Sequence, residues 1–173
     1  MFDFIMDEEQ ILEKIKRASD EEYVTEWDNS GKISVQKKKS EIKKGKKSKI
    51  SGNQFELRVR KDLEEKGWIV TKWINNIDLE KKQIIAAKRK FNPFSKAMTI
   101  GTGFPDFLAF QKMNDFYKII GVEVKSNGTL DREEKEKCRW YLDNKTFNEI
   151  LIARKKDKEI AYSNVQNILE RMK

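Results

Sequence analysis

Residues 104–125 read FPDFLAFQKMNDFYKIIGVEVK, and this stretch decides the fold. Two short runs rich in aromatic and β-branched residues flank a polar break at residues 112–115, a pattern typical of a β-hairpin. Both runs are apolar at almost every position, as in strands that are buried on both faces of a sheet. We therefore expect the hairpin to lie in the centre of a sheet.

Three charged side chains interrupt this hairpin. Side chains alternate between the faces of a strand, so Glu123 and Lys125 share one face. If the chain turns at Met113 or Asn114, Asp106 lies opposite Glu123 or one diagonal step away, on that same face. The pattern therefore predicts two carboxylates and an ammonium group together. The simpler alternative is a solvated face on which Glu123 and Lys125 form an exposed ion pair.

These three groups fit one kind of chemistry. Carboxylate oxygens suit Mg²⁺, or Mn²⁺ as a substitute, and Mg²⁺ takes only one or two protein carboxylates beside water and phosphate oxygens. An ammonium group can orient or help deprotonate an attacking water, or neutralise charge that builds up on a phosphate. We therefore predict phosphodiester hydrolysis, with Asp106 and Glu123 as metal ligands and Lys125 as a catalytic residue.

The amino-acid composition of the chain excludes several classes of catalytic and metal site. The chain has 173 residues, a formal net charge of +8, no histidine and a single cysteine. Without histidine, a structural zinc site, a histidine general base and the usual catalytic triad are excluded. The basic charge indicates a polyanionic partner. No apolar run has membrane-spanning length and no signal peptide is visible, so we expect no membrane partner and a cytoplasmic, intracellular location.

A helix is predicted from Ser51, as its N-cap, to a stop at Gly67. Phe55, Val59 and Leu63 recur at helical spacing and should pack on the sheet. Glu56 lies at the border of this stripe, from which its side chain can point along the sheet toward the hairpin carboxylates. The alternative is an ordinary solvated helix glutamate.

Further elements follow from periodicity and turn residues. A short amphipathic helix is expected over residues 7–18, and residues 79–91 read as either a helix or an extra hairpin. Cys138 should be a small core residue of a helix over residues 131–144. Strands are predicted over residues 68–74, 149–153 and 158–162, and a closing helix over residues 163–172.

Two basic segments are candidates for contact with nucleic acid. Residues 36–49 are rich in lysine and almost free of apolar side chains, which is typical of a disordered or loosely helical linker that touches phosphates or serves only as a tether. Residues 75–103 form a long connection whose charge fits a DNA-gripping flap. The candidate residues are Lys43, Lys44, Lys46, Lys47, Lys81, Lys82, Lys88, Arg89 and Lys90.

Three motifs resemble known nucleases. Pro105-Asp106 followed by Glu123-Val124-Lys125 resembles the PD-(D/E)xK signature of the restriction-endonuclease-like superfamily. Gly52-x-x-Phe55-Glu56-x-x-Val59 resembles the first helix of archaeal Holliday-junction resolvases. Asn75-Asn76 with Gly103-Phe104-Pro105-Asp106 resembles virus-type replication-repair nucleases.

The resemblance implies an α/β fold with a restriction-endonuclease-like core of the order αβββαβ, a central mixed sheet flanked by helices. The charge distribution indicates an acidic N-terminal extension with a short helix over residues 1–35 and a lysine-rich linker over residues 36–50, and the resemblance implies a nuclease domain over residues 51–173. It also implies that Glu56 completes the metal site.

The function implied by the resemblance is a Mg²⁺-dependent DNA endonuclease. Its expected substrate is branched or structured DNA of recombination, repair or viral replication. The resolvase likeness also implies a symmetric homodimer, since two strands must be cut. The alternatives are a non-catalytic DNA-binding module with the same fold and an RNA-processing nuclease.

Overall fold

The structure, a computed structural model, describes residues 8–86, 89–92, 97–100 and 103–170. The chain divides into two compact units, Met1–Asn53 and Gln54–Lys173. Every residue of the predicted chemical site falls in the second unit. No helix within the described ranges has both the length and the apolar character needed to cross a membrane.

The first unit contains a helix and a hairpin. Helix α1 (Glu8–Ala18) carries acidic residues in its first turn and basic residues in its last turn, which suits the helix dipole. Strands β1 (Tyr23–Trp27) and β2 (Ile33–Lys38) pair antiparallel. The helix confirms the prediction over the residues that are described. The hairpin was not predicted, although Asp28 and Gly31 at its turn are an available signal.

Helix α2 (Lys39–Glu65) is longer than predicted. Ser51 lies inside it, so its assignment as the N-cap was wrong. A capping signal is local, and it does not prevent lysine-rich residues of good helix propensity from extending the helix backward. Of the two conformations that we considered for the lysine-rich segment, the structure shows the helical one. The predicted stop is confirmed, because Gly67 has φ +83° and the N–H of Trp68 donates to the carbonyl of Leu63.

The second unit is built on a five-stranded mixed sheet. Strand β3 (Ile69–Lys72) is followed by two small hairpins outside the sheet. These are β4 (Asn76–Asp78) with β5 (Gln83–Ile85), and β6 (Arg89–Asn92) with β7 (Ala97–Ile100). The connection over residues 75–103 therefore contains extra hairpins and, in its described part, no helix.

The remaining sheet strands are β8 (Phe107–Met113), β9 (Phe116–Val124), β10 (Glu149–Lys156) and β11 (Glu159–Asn164). The order across the sheet is β11-β10-β9-β8-β3, so β9 is the central strand, as its apolar sequence predicted. The β9–β10 pair is parallel and the other pairs are antiparallel. Helix α3 (Arg132–Asp143) connects the two parallel strands, and helix α4 (Val165–Glu170) follows β11.

Helices cover both faces of the sheet. The predicted stripe on α2 is buried against one face, which contributes Val70, Phe107, Ile120 and Val122. On the other face, α3 and α4 pack on β10 through a cluster that includes Cys138, Tyr141, Ile150, Ile152 and Val165. Each buried aliphatic or aromatic side chain contributes about 1.5–3 kcal/mol. The two layers hold the end of the central hairpin between α2 and α3.

Candidate active site

Two backbone N–H groups, one from each side of the hairpin end, hold the carboxylates of Asp106 and Glu123 in place. The hairpin turns at Asn114, which has φ +54°, and its register pairs Phe107 with Val122. The residues before and after that pair therefore face each other. The N–H of Asp106 donates to Glu123 Oε2 at 3.1 Å, and the N–H of Val124 donates to Asp106 Oδ2 at 3.0 Å. These bonds orient both carboxylates at the end of the hairpin, in agreement with the sequence-based register.

The backbone that leads to Asp106 is anchored by α3 and by the segment after β3. The hydroxyl of Tyr141 donates to the carbonyl of Phe104 at 2.9 Å and accepts a hydrogen bond from the Trp73 indole at 3.2 Å. A Cβ at Gly103 would lie 2.6 Å from the Asn75 carbonyl oxygen, so only glycine fits this approach. Gly103 therefore allows the backbone before Asp106 to lie directly against the segment that follows β3.

Lys72 bridges Glu56 and Asp106. Its Nζ lies 2.6 Å from Glu56 Oε2 and 3.5 Å from Asp106 Oδ1. Alternation along β3 places Lys72 on the same face as buried Val70, toward α2. Sequence reasoning did not select Lys72, and this shared parity is the signal that could have identified it. The structure thus connects Glu56 to the hairpin carboxylates through a lysine.

Lys125 makes a second bridge, between Glu123 and Glu134. Its Nζ lies 3.4 Å from Glu123 Oε1 and forms a shorter ion pair with Glu134 Oε1. Glu134 is itself held in a capping box at the start of α3. Its N–H donates to Asp131 Oδ1 at 2.8 Å, and its Oε2 accepts from the N–H of Asp131 at 3.0 Å. Glu134 was not predicted as a site residue, although the Asp-x-x-Glu spacing is a recognisable cap signal.

A chain of acidic and basic groups crosses the site, with the adjacent carboxylates of Asp106 and Glu123 at its centre. Lys72 and Glu56 follow on one side, and Lys125 and Glu134 on the other. Four carboxylates surround two ammonium groups, so formal negative charges exceed positive ones by two. With all four carboxylates ionised, one divalent cation would balance this excess.

Burial and like charge shift the pKa values of the central carboxylates. Glu123 is only 6% exposed, and burial, followed by the charge of Asp106, raises its pKa to about 8. Burial and the charge of Glu56 also raise the pKa of Asp106 above its usual range, against hydrogen bonding from Val124. Two adjacent buried carboxylates hold a proton more tightly than isolated ones.

The pKa values of Lys72 and Lys125 are raised, as expected for cations in ion pairs. Burial lowers the pKa of Lys125, but the hydrogen bond to Glu134 and the charge of Glu123 outweigh it, so that the pKa is raised. The pKa of Lys72 is raised for the same reason, since Glu56 and Asp106 outweigh its burial. Both lysines are therefore cationic at neutral pH.

The carboxylate oxygens of Asp106 and Glu123 suit a hard divalent cation, but in the part of the chain that the structure describes only these two ligands lie together. The oxygens of Asp106 and Glu123 are the type that Mg²⁺ prefers, and two protein carboxylates are enough when water and phosphate complete the shell. However, in the described ranges no three His, Cys, Asp or Glu side chains are grouped so that they could hold a metal ion. The structure brings Asp106 and Glu123 together directly, whereas Lys72 stands between Glu56 and Asp106.

The predicted nucleic-acid contacts lie at several places. Lys43, Lys44, Lys46 and Lys47 are exposed on the first half of α2. Lys81 and Lys82 lie exposed in the β4–β5 turn, and Arg89 is exposed on β6. Lys90 also belongs to β6, and Lys88 lies outside the described residues. Cys138 is buried and unpaired, and burial raises the pKa of its thiol, which fits the predicted core role.

The chain matches no family model, and comparisons with curated proteins and with solved structures found no match.

Proposed function

We propose that this protein is a divalent-metal-dependent DNA endonuclease with a restriction-endonuclease-like core. The observation that carries the proposal is the close placement of the Asp106 and Glu123 carboxylates, which accept hydrogen bonds from the N–H groups of Val124 and Asp106, with Lys125 beside Glu123. The order α2, β3, β8, β9, α3, β10 supports it, because it follows the αβββαβ order of the PD-(D/E)xK nucleases. The two small hairpins between β3 and β8 are an insertion into that order.

Each site residue has a role in this proposal. Asp106 and Glu123 hold Mg²⁺, or Mn²⁺ in its place, and Glu56 assists from α2. When bound, the metal supplies Lewis-acid activation of the phosphate and of the attacking water. Because its pKa is raised, Lys125 acts as a cation rather than as a general base. It orients the nucleophile and stabilises the charge that develops on the phosphate.

The proposed substrate is DNA; the net charge of +8 and the exposed lysines support a polyanionic partner, and the likeness to resolvases favours DNA over RNA. Lysines on α2 and on the β4–β5 turn contact phosphates, which increases affinity without reading sequence. By its likeness to resolvases, the protein cuts branched or structured DNA as a homodimer. Each protomer then supplies one complete site to one strand.

The position of Lys72 favours a second candidate, a DNA-binding module without hydrolysis. An ammonium group between Glu56 and Asp106 satisfies two carboxylates without any metal. In this candidate the ion pairs of the site only stabilise the end of the hairpin. An RNA-processing nuclease uses the same chemistry as the first proposal and differs only in substrate.

One assay separates these functions. Supercoiled DNA, a four-way junction and single-stranded RNA are incubated with the wild-type chain and with Asp106→Asn, with Mg²⁺ and with EDTA. Cleavage of the junction that requires both Mg²⁺ and Asp106 supports the proposal. Binding of DNA without cleavage in Mg²⁺ or Mn²⁺ supports the binding module. Cleavage of RNA alone would support the RNA-processing nuclease.

A further inference from the structure

Lys72 contacts two acidic side chains, one of which is the proposed metal ligand Asp106. Its Nζ lies 2.6 Å from Glu56 Oε2 and 3.5 Å from Asp106 Oδ1, and it also lies 5.1 Å from the centre of the Phe107 ring. The side chain is 40% exposed, and those of Glu56 and Asp106 are 32% and 16% exposed. The Asp106 carboxylate is thus largely shielded from solvent, whereas the ammonium of Lys72 is exposed and its charge is partly screened by salt.

The two oxygens of Asp106 have different partners. Oδ2 accepts the backbone N–H of Val124, which holds the carboxylate in place. Oδ1 is the oxygen that faces Lys72. A cation that binds Asp106 through Oδ1 must therefore approach an ammonium group that is already there.

We propose that Lys72 is an internal competitor of the divalent cation. Its ammonium neutralises Glu56 and Asp106 when no metal is bound, and a divalent ion binds at Asp106 only against this charge or by displacing it. Lys72 thus sets the metal concentration that the site requires. The inference rests on the proposed function, because it assumes that Asp106 is a metal ligand.

A lysine elsewhere in the same sheet provides a matched control. Lys118 on β9 lies 2.6 Å from Glu149 Oε2, the same separation as between Lys72 and Glu56. The side chains of Lys118 and Glu149 are 34% and 24% exposed, similar to the Lys72–Glu56 pair. Lys118→Met therefore removes one positive charge and one comparable ion pair without touching the site.

The test is direct titration of Mn²⁺ into the full chain by calorimetry, with no DNA present. Four proteins are compared: wild type, Lys72→Met, Lys72→Arg and Lys118→Met. Removal of a cation this close to a ligand oxygen should tighten Mn²⁺ binding by about tenfold or more in Lys72→Met. Lys72→Arg keeps the charge and should stay within about threefold of wild type. Lys118→Met should also stay near wild type.

A second measurement follows metal binding in the wild-type chain and uses a variant only to assign one signal. In protein labelled with ¹⁵N-lysine, the ammonium signal of Lys72 is assigned by its loss in Lys72→Arg. Titration with Mg²⁺ should move this signal at the same concentrations at which the metal binds, and it should leave the Lys118 signal unchanged. A Lys72 signal that does not respond during metal binding would overturn the competition.

Other outcomes also decide the inference. Equal Mn²⁺ affinity in all four proteins, or weaker binding in Lys72→Met, refutes it. If Asp106→Asn abolishes Mn²⁺ binding in that case, the metal site of the proposed function is supported and only the competition by Lys72 is refuted. Absence of Mn²⁺ binding in every protein refutes both. Tighter binding in Lys72→Met without cleavage of any nucleic acid supports the competition and refutes the nuclease.

Discussion

Lys125, the residue that follows β9, forms an ion pair with Glu134 in the first turn of α3. The same glutamate caps the helix through the backbone of Asp131, so the helix start and the position of the ammonium depend on one side chain. The orientation of Lys125 toward Glu123 is thereby linked to the formation of α3.

The first prediction tests this positioning. Glu134→Gln keeps a side-chain oxygen for the cap but removes the charge that holds Lys125, so single-turnover cleavage should fall by about tenfold while the melting temperature changes little. Glu136→Gln is the matched control, because Glu136 pairs with exposed Arg132 on the same helix. Equal rates in both variants would leave Glu134 with a capping role alone.

The second prediction concerns the metal ligand. Asp106→Asn still offers an oxygen to the N–H of Val124, so the hairpin should fold normally. Cleavage should be abolished, while DNA affinity stays near wild type because phosphate contacts are spread over many lysines. Asp115→Asn, in the exposed β8–β9 turn, is the control and should cleave like wild type. Comparable cleavage by Asp106→Asn would remove the metal assignment.

The third prediction concerns Lys125 itself. Lys125→Ala should reduce the single-turnover rate by roughly 10² or more, the scale of a lost electrostatic stabiliser. Lys125→Arg should not restore the rate, because a planar guanidinium cannot replace a compact ammonium. DNA affinity, measured in Ca²⁺, should change far less than the rate. Equal losses of cleavage rate and DNA affinity would show that Lys125 only contacts a phosphate and does not stabilise the transition state.

The fourth prediction follows from the pKa of Glu123, which is raised to about 8 in the metal-free folded protein. Below pH 4.5, the ordinary value, Glu123 is protonated in both the folded and the unfolded chain. As the pH rises toward 8, the unfolded chain releases this proton first, so the folded state loses stability. Glu123→Gln cannot ionise and should avoid that loss.

In EDTA, Glu123→Gln should therefore gain about 2–5 kcal/mol relative to wild type between pH 5 and 9. The measurement is urea unfolding of both proteins across this pH range. A stability difference that stays constant with pH would show that Glu123 does not hold its proton in the folded state.

The fifth prediction tests the lysines of α2. Replacing Lys43, Lys44, Lys46 and Lys47 by glutamine keeps good helix formers in the helix, whereas truncation at residue 49 would cut α2 itself. For each lost phosphate contact, the slope of log affinity against log salt should decrease by roughly 0.9. Cleavage at saturating protein should change little. An unchanged slope would mean that these lysines do not contact DNA.

Local sequence patterns were enough to predict many elements of the second unit. The stripe of Phe55, Val59 and Leu63 on α2 and the apolar runs of β8 and β9 are periodic signals that depend only on nearby residues. The pairing of Asp106 with Glu123 also followed, because a short hairpin turn fixes the register of both strands. By contrast, the start of α2 was misplaced, since Ser51 resembles a cap but lies within a helix that continues before it.

Lys72 and Glu134 became site residues only through tertiary structure. Lys72 meets Glu56 because β3 and α2 pack together, and it meets Asp106 because β3 pairs with β8. Glu134 meets Lys125 because α3 returns across the sheet between two parallel strands. The sequence by itself determined the hairpin, its register and the facing carboxylates of Asp106 and Glu123. Only the tertiary structure, through the pairing of β3 with β8 and the packing of α2 and α3 on the sheet, decided which lysine pairs with which carboxylate. Local periodicity could not decide this, because it does not relate side chains that are distant in sequence.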